Sequence, residues 1–185
     1  MVWSAHRDEQ ALLSGTMLSG ELVGVEGRSP VIGVYLNDGS AAKIGYYLRT
    51  DVVATPTGCR PGGAQTVNVK VTLTSTAPAN AADLPPYLAS GNVIPKGEVR
   101  TNVLLYAPKG GRVDDVRVTG GDQGVVSQTH NGLAVVGRTV QLKPGQQIVI
   151  SYNILTGQGQ PDTPVLRVTP VTLDRTAITA SSGCS

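Results

Sequence analysis

The chain has 185 residues, 15 Lys and Arg against 13 Asp and Glu, a net charge of +2, and only 15% charged residues. That length suits a single domain able to bury a core without metals, and a hydrophobic content of 40% argues against disorder. No basic stripe, no long charge run and no apolar stretch near ~20 residues is present, which argues against a nucleic-acid footprint and against a membrane span within this sequence.

The β-branched residues Val, Ile and Thr number 25, 7 and 18, and they suit a pleated, half-buried surface. The 23 Gly and 12 Pro fall in short clusters, as turns between strands should. Trp3 to Gly20 is the one stretch that reads as helix. Ser4 is its expected cap, Asp8 and Glu9 favour its first turn, Leu13 and Met17 share a face, and Gly15 or Gly20 ends it. Glu21 to Pro30 is a Gly-rich connector. The period then becomes two. Val31 to Leu36 is a strand closed by the turn Asn37-Asp38-Gly39, and Tyr46 to Ala54 is the next. Gln65 to Thr76 alternates most clearly, with Val67, Val69, Val71 and Leu73 on one face and Asn68, Lys70, Thr72 and Thr74 on the other.

Ala77 to Gly97 is an Ala/Pro connector whose Leu84-Pro85-Pro86-Tyr87-Leu88 cannot be a central strand. Strands resume over Val99 to Ala107 and Val113 to Thr119. Val125 to Gln128 and Leu133 to Val136 flank the hairpin turn His130-Asn131-Gly132. Thr139 to Leu142, Gln147 to Leu155 and Val165 to Leu173 complete the set. The pattern predicts a mainly β chain: an antiparallel, immunoglobulin-like β-sandwich of seven to nine strands with a short N-terminal helix. The division expected is 1–30 for the helical segment and connector, 31–178 for the sandwich and 179–185 for the tail.

Cys59 lies in the turn Thr57 to Gly63, and Cys184 lies near the end. Neither has the spacing of a metal or redox motif. An even count in a charge-poor chain fits one Cys59–Cys184 disulfide and an oxidising compartment, against the alternative of two unrelated thiols. A Ser/His/Asp hydrolase has only His6 and His130 to draw on, and no Gly-x-Ser-x-Gly elbow occurs. Asp114, Asp115 and Asp122 lack calcium-loop spacing. A crosslink of Lys70 to Asn102 or Asn153 is rejected because the alternation turns Lys70 outward. No cofactor and no metal is implied, so the chain reads as a non-enzyme. Aromatic platforms for sugars would come from Trp3, Tyr35, Tyr46, Tyr47, Tyr87, Tyr106 and Tyr152, although a chain without Phe also needs Tyr for packing. The densest polar cluster is Asn37, Asp38, Lys43 and Tyr46, where Asp38 could accept from Tyr46 or a sugar hydroxyl and pair with Lys43, against the alternative that Asn37 and Asp38 simply build the turn; with Tyr35 and Tyr47 it spans Tyr35 to Tyr47. It is the expected contact region.

Several stretches carry a resemblance. They are Trp3-Ser4-Ala5 with Glu9 to Leu13, Gly33 to Asp38, Lys43 with Tyr46-Tyr47-Leu48, Val71 to Pro78, Leu84 to Tyr87, and Leu104 to Pro108. Together they resemble the C-terminal extracytoplasmic region of the actinobacterial membrane-anchored envelope proteins of domain-of-unknown-function family 4012. The resemblance implies an N-terminal anchor absent from this sequence and a location in the cell envelope. It implies partners among the remaining N-terminal part of the same protein, other envelope proteins or polysaccharide. It brings no catalytic residues. The expected function is a non-catalytic module for structural spacing or partner docking, with a glycan-binding module as the alternative.

Overall fold

The computed structural model describes residues 2–14, 16, 27–89, 91–120, 124–169 and 184, and the backbone of 174–178. The helix α1 spans Arg7–Leu13. The strands are β1 Val31–Asp38, β2 Leu48–Arg60, β3 Ala64–Ser75, β4 Val99–Tyr106, β5 Arg112–Val118, β6 Val126–His130, β7 Leu133–Leu142, β8 Gln147–Leu155, β9 Val165–Val168 and β10 Asp174–Ile178. They form two five-stranded sheets, β6-β7-β4-β1-β9 and β10-β2-β3-β8-β5, which pack as a sandwich.

Alternation builds the core. Val67, Val69, Val71 and Leu73 of β3 are 0% exposed, as are Ile150, Tyr152 and Ile154 of the neighbouring β8. Ile32 and Val34 of β1 and Val103 and Leu105 of β4 supply the facing sheet and join the same cluster. Each such side chain contributes about 1.5–3 kcal/mol relative to exposure. β3 lies between β2 and β8, and β4 between β1 and β7, all antiparallel. The type of turn fixes register at the β6–β7 hairpin. Asn131 and Gly132 have φ of 51° and 76°, the left-handed pair that a two-residue turn demands, and His130 pairs with Leu133.

Among the described strands, only β9 with β1 and β10 with β2 run parallel, each at a sheet edge. After β8 the chain loops back to the start of β1. Gln65 Nε2, buried, donates to the Gln160 and Asp162 carbonyls at 2.8 Å each, which pins the loop. Asp162 N donates to Arg28 O at 3.1 Å and Val165 N to Pro30 O at 2.8 Å, so β9 starts level with β1 and runs the same way.

Several expectations are corrected. The helix is seven residues, not Trp3 to Gly20, and its N-cap is His6. Ser4 instead accepts from His6 N at 3.1 Å and meets the Glu9 carboxylate, so it orders the approach to the helix. Met17, Gly15 and Gly20 lie outside the described residues. Tyr46 and Tyr47 are in a 3-10 helix, Lys43–Tyr47, rather than a strand, because buried Ile44 anchors the connector there. Cys59 belongs to β2, which runs on to Arg60 opposite Ala64, leaving only Pro61–Gly63 for the turn. Leu133 to Leu142 is one strand, because Gly137 and Arg138 continue the ladder with Leu104 and Val103. The strand expected over Val165 to Leu173 is described as β9 over Val165–Val168, and β10 follows beyond it at Asp174–Ile178, so the described strands number ten. Of the tail, Cys184 alone is described, and it is bonded to Cys59 as expected.

The disulfide joins residues 125 apart in sequence. Loop-closure entropy then stabilises the fold by about 4–5 kcal/mol. Replacing both cysteines by serine is expected to lower the unfolding free energy in urea by that amount, less if the denatured chain keeps structure. A second expectation concerns pH. Burial pushes the Tyr152 hydroxyl far up from its ordinary 10.0. It therefore stays neutral in the fold and ionises only in the unfolded chain. Its contribution is complete below about pH 10 and is lost above it, by about 1.4 kcal/mol per pH unit. Tyr152→Phe should remove that component of the alkaline slope in pH-dependent melts.

Candidate functional site

The outward face of the first sheet carries the candidate site. With Ile32 and Val34 turned inward, β1 must present Gly33, Tyr35 and Asn37 on the other side. β4 likewise presents Asn102, Leu104 and Tyr106, and β7 presents Leu133, Val135, Gly137 and Thr139. Register brings these into rows. Tyr35 lies opposite Leu104 and Asn37 opposite Asn102, and on the far side of β4 Leu104 faces Gly137 and Asn102 faces Thr139.

One end of this face is a small apolar cluster, separate from the main core. Tyr106, Leu133 and Val135 are buried, and Tyr35 and Leu104 pack on them. The rings of Tyr35 and Tyr106 meet edge to face with centroids 5.4 Å apart. Tyr106 Oη and His130 Nδ1 are hydrogen-bonded at 3.0 Å. Burial raises both tyrosine pKa values; for Tyr35 the nearby Arg167 offsets part of the rise. Tyr35 lies across Gly33, where a Cβ would sit 2.6 Å from its Cε2.

The other end is a shallow groove of about 330 Å³, lined by Asn37, Asn102, Leu104, Val126, Gly137 and Thr139 among others. The missing side chain of Gly137 opens its floor between Leu104 and β6. Thr139 Oγ1 lies 2.6 Å from Asn102 Oδ1 and donates to it. The result is an apolar step beside a row of amides and a hydroxyl, which offers donors and acceptors but no charge of its own on that row.

The expected contact region is thus divided. Tyr35 and Asn37 are on this face. Asp38 accepts from Ser40 N at 3.1 Å, the local bond that shapes the turn. No ion pair joins Asp38 to Lys43 among the described residues. Lys43, Tyr46 and Tyr47 sit on the connector to the second sheet, where Lys43 N donates to Tyr87 O at 3.0 Å. Tyr46 and Tyr87 are each 63% exposed. Tyr47 meets Tyr46 edge to face at 5.3 Å and packs against the core. One of the adjacent pair does face outward, because the 3-10 turn rather than strand alternation splits them.

The remaining candidates take local partners. Asp114 pairs with Arg112 at 2.7 Å and Asp115 with Arg117 at 2.9 Å; Asp122 lies outside the described residues. Lys70 is exposed and opposite Ser151, while Asn153 accepts from Asn68 at 3.0 Å. Arg138 escaped the sequence reading. It occupies an inward position of β7 with 7% exposure, and its Nη1 donates to Gly124 O at 3.1 Å. Its signal is its place in phase with Val136 and Val140, which Gly137 interrupts.

No protein-family model matches the chain, and no curated protein matches it. Among solved structures it is similar to a Legionella pneumophila protein whose nutrient-binding role is itself provisional. That match has 9% identity and a TM-score of 0.40, and it covers 70% of this chain and 44% of that one. A likeness of that size carries no argument about function.

The close approach at Gly33 is testable. Gly33→Ala must displace the Tyr35 ring, at a cost of about 1–3 kcal/mol. Gly137→Ala meets Leu104 Cδ2 only at 3.5 Å, an ordinary contact. The first substitution should lower the melting temperature and alter the near-ultraviolet tyrosine signal, and the second should leave both close to wild type.

Proposed function

We propose that this chain is a non-catalytic, extracytoplasmic module that docks or spaces partners at the cell envelope. In this reading it is the distal part of a membrane-anchored protein of domain-of-unknown-function family 4012. The observation that carries the docking role is the N-terminal segment. Trp3 is 75% exposed, Leu12 81% and Val2 48%, and α1 buries none of its residues. Large apolar groups left in water favour a partner that covers them.

The disulfide supports a compartment outside the reducing cytoplasm. No helix among the described residues is long and apolar enough to cross a membrane, so the anchor belongs, in this reading, to another part of the parent protein. The non-catalytic reading draws support from the partners already taken. Tyr106 engages His130, and arginines engage Asp114 and Asp115. A second reading, glycan binding, is favoured by one feature. The outward face of the first sheet sets the half-buried Tyr35 ring beside the Asn37, Asn102 and Thr139 row, an apolar surface flanked by amides that suits sugar hydroxyls.

Trp3 is the single tryptophan and reports directly on docking. Its fluorescence should be that of a water-exposed indole in the free protein and shift to the blue when an envelope partner binds. Trp3→Ala combined with Leu12→Asp should abolish retention of that partner. Unchanged retention rejects the docking role of this segment. Retention of a polysaccharide that is lost in Tyr35→Ala and Asn102→Ala, but kept in the Trp3 variant, selects the glycan reading.

A further inference from the structure

β6 differs from the other strands whose side chains are described: all five of its residues are exposed. It closes one end of the first sheet and is held by its hairpin to β7. The last strand of the second sheet, β5, packs against β7. β6 therefore lies at the end of the first sheet among the described strands, with all five of its residues exposed.

The hairpin decides which backbone groups are free. His130 and Leu133 flank the two-residue turn and form a hydrogen-bonded pair. Alternation makes Gln128 with Val135 and Val126 with Gly137 hydrogen-bonded pairs as well. Ala134 O confirms the phase, because it accepts from Ala107 N on the β4 side. The N–H and C=O of Ser127 and Thr129 must then point away from β7, along the open edge. Such an edge templates another strand unless charge, proline or a bulge blunts it.

The other described edges are blunted. β5 carries Arg112, Asp114, Asp115 and Arg117, a register shift between Asp114 and Arg117, and Asp115 at a φ of 53°. On the opposite side of the sandwich, β9 and β10 pack against each other. β6 has no Asp, Glu, Lys, Arg or Pro, and its pairing with β7 has no shift.

We propose that the open edge of β6 pairs antiparallel with β6 of a second copy, about a two-fold axis at Gln128, joining two first sheets into one. The strand fits itself. Ser127 and Thr129 are placed evenly about Gln128, so Ser127 of each copy lies opposite Thr129 of the other, and each such pair forms hydrogen bonds in both directions. The central, non-bonded pair is Gln128 with Gln128, and Val126 lies opposite His130. No Asp, Glu, Lys or Arg faces its like across this pair, so the strand meets no carboxylate or ammonium repulsion against its own copy. A five-residue contact buries little area, below about 1,200 Å², and the dimer is weak and reversible.

The test is sedimentation equilibrium of the oxidised chain over roughly 1 μM to 1 mM. A reversible monomer–dimer equilibrium is expected. Thr129→Pro removes a donor from the open edge without touching the ladder to β7, and should leave a monomer throughout. Gln128→Lys and Gln128→Glu place like charges on the axis and should each weaken the dimer by roughly five-fold, while their equimolar mixture restores it. Residue 128 is exposed, so both variants keep the wild-type melting temperature. A wild type that is monomeric up to about 1 mM overturns the proposal, as does a dimer that mixing the two charge variants fails to restore. Ser127 and Thr129 amides that gain exchange protection only on adding envelope extract also overturn it, in favour of a foreign strand.

Discussion

The inward row Val67, Val69, Val71 and Leu73 is the constraint on which the rest depends. A side-chain period of two leaves β3 no freedom: a slip of one residue would bury Asn68, Lys70, Thr72 and Thr74 and expose the whole apolar set. With β3 fixed, its two neighbours are fixed as well. β2 pairs along it from Leu48 to Arg60 and β8 from Gln147 to Leu155. The apolar rows of these strands then need a facing surface, which Ile32, Val34, Val103 and Leu105 of the first sheet provide. The disulfide follows from the same register, because it places Cys59 opposite Gln65 at the far end of β2, close to the loop that Gln65 holds. Cys184 N donates to Pro161 O in that loop.

Closing the core leaves the two outer faces and the edges to differ in chemistry. The second sheet turns outward a wet surface of Asn68, Lys70, Thr72, Thr74 and Asn153. The first sheet turns outward a mixed one, apolar at Tyr35 and Tyr106 and amide-rich at Asn37 and Asn102. The asymmetry arises on β4 and β7, where Leu104, Tyr106, Leu133 and Val135 occupy outward positions that on the second sheet are polar. Those two strands are apolar on both faces, which is why a second small cluster forms outside the core. The proposed docking and glycan readings draw on that face and on the exposed N-terminal segment.

Much of the fold and part of the site were legible in the sequence. Strong alternation marked β3, β4 and β8, and Asn131-Gly132 marked a hairpin, because both signals are local and strong. The pairing of Cys59 with Cys184 was legible from the count. The contact region was legible only in pieces. Tyr35 and Asn37 share a face by their spacing alone, but Lys43, Tyr46 and Tyr47 were drawn to them by proximity in sequence. In space, the chain leaves the first sheet at Asp38 and reaches the second at Leu48, so residues eight apart end on different surfaces. Asp38 was spent on its own turn by a hydrogen bond that spans two residues.

By itself the sequence determined the class of fold, since period-two burial, turn residues and β-branched composition act over a few residues and need no partner to be read. It also determined which residues of each strand share a face. Only the tertiary structure decided which faces meet which. It made Tyr35 a neighbour of Tyr106 and His130, carried Arg138 inward and ran β9 and β10 parallel to β1 and β2 at the edges. It also left all five residues of β6 exposed. These outcomes depend on contacts between residues far apart in the chain, such as Gln65 with Gln160 and Asp162. Their energies come from burial and hydrogen bonding that exist only once both sheets are in place.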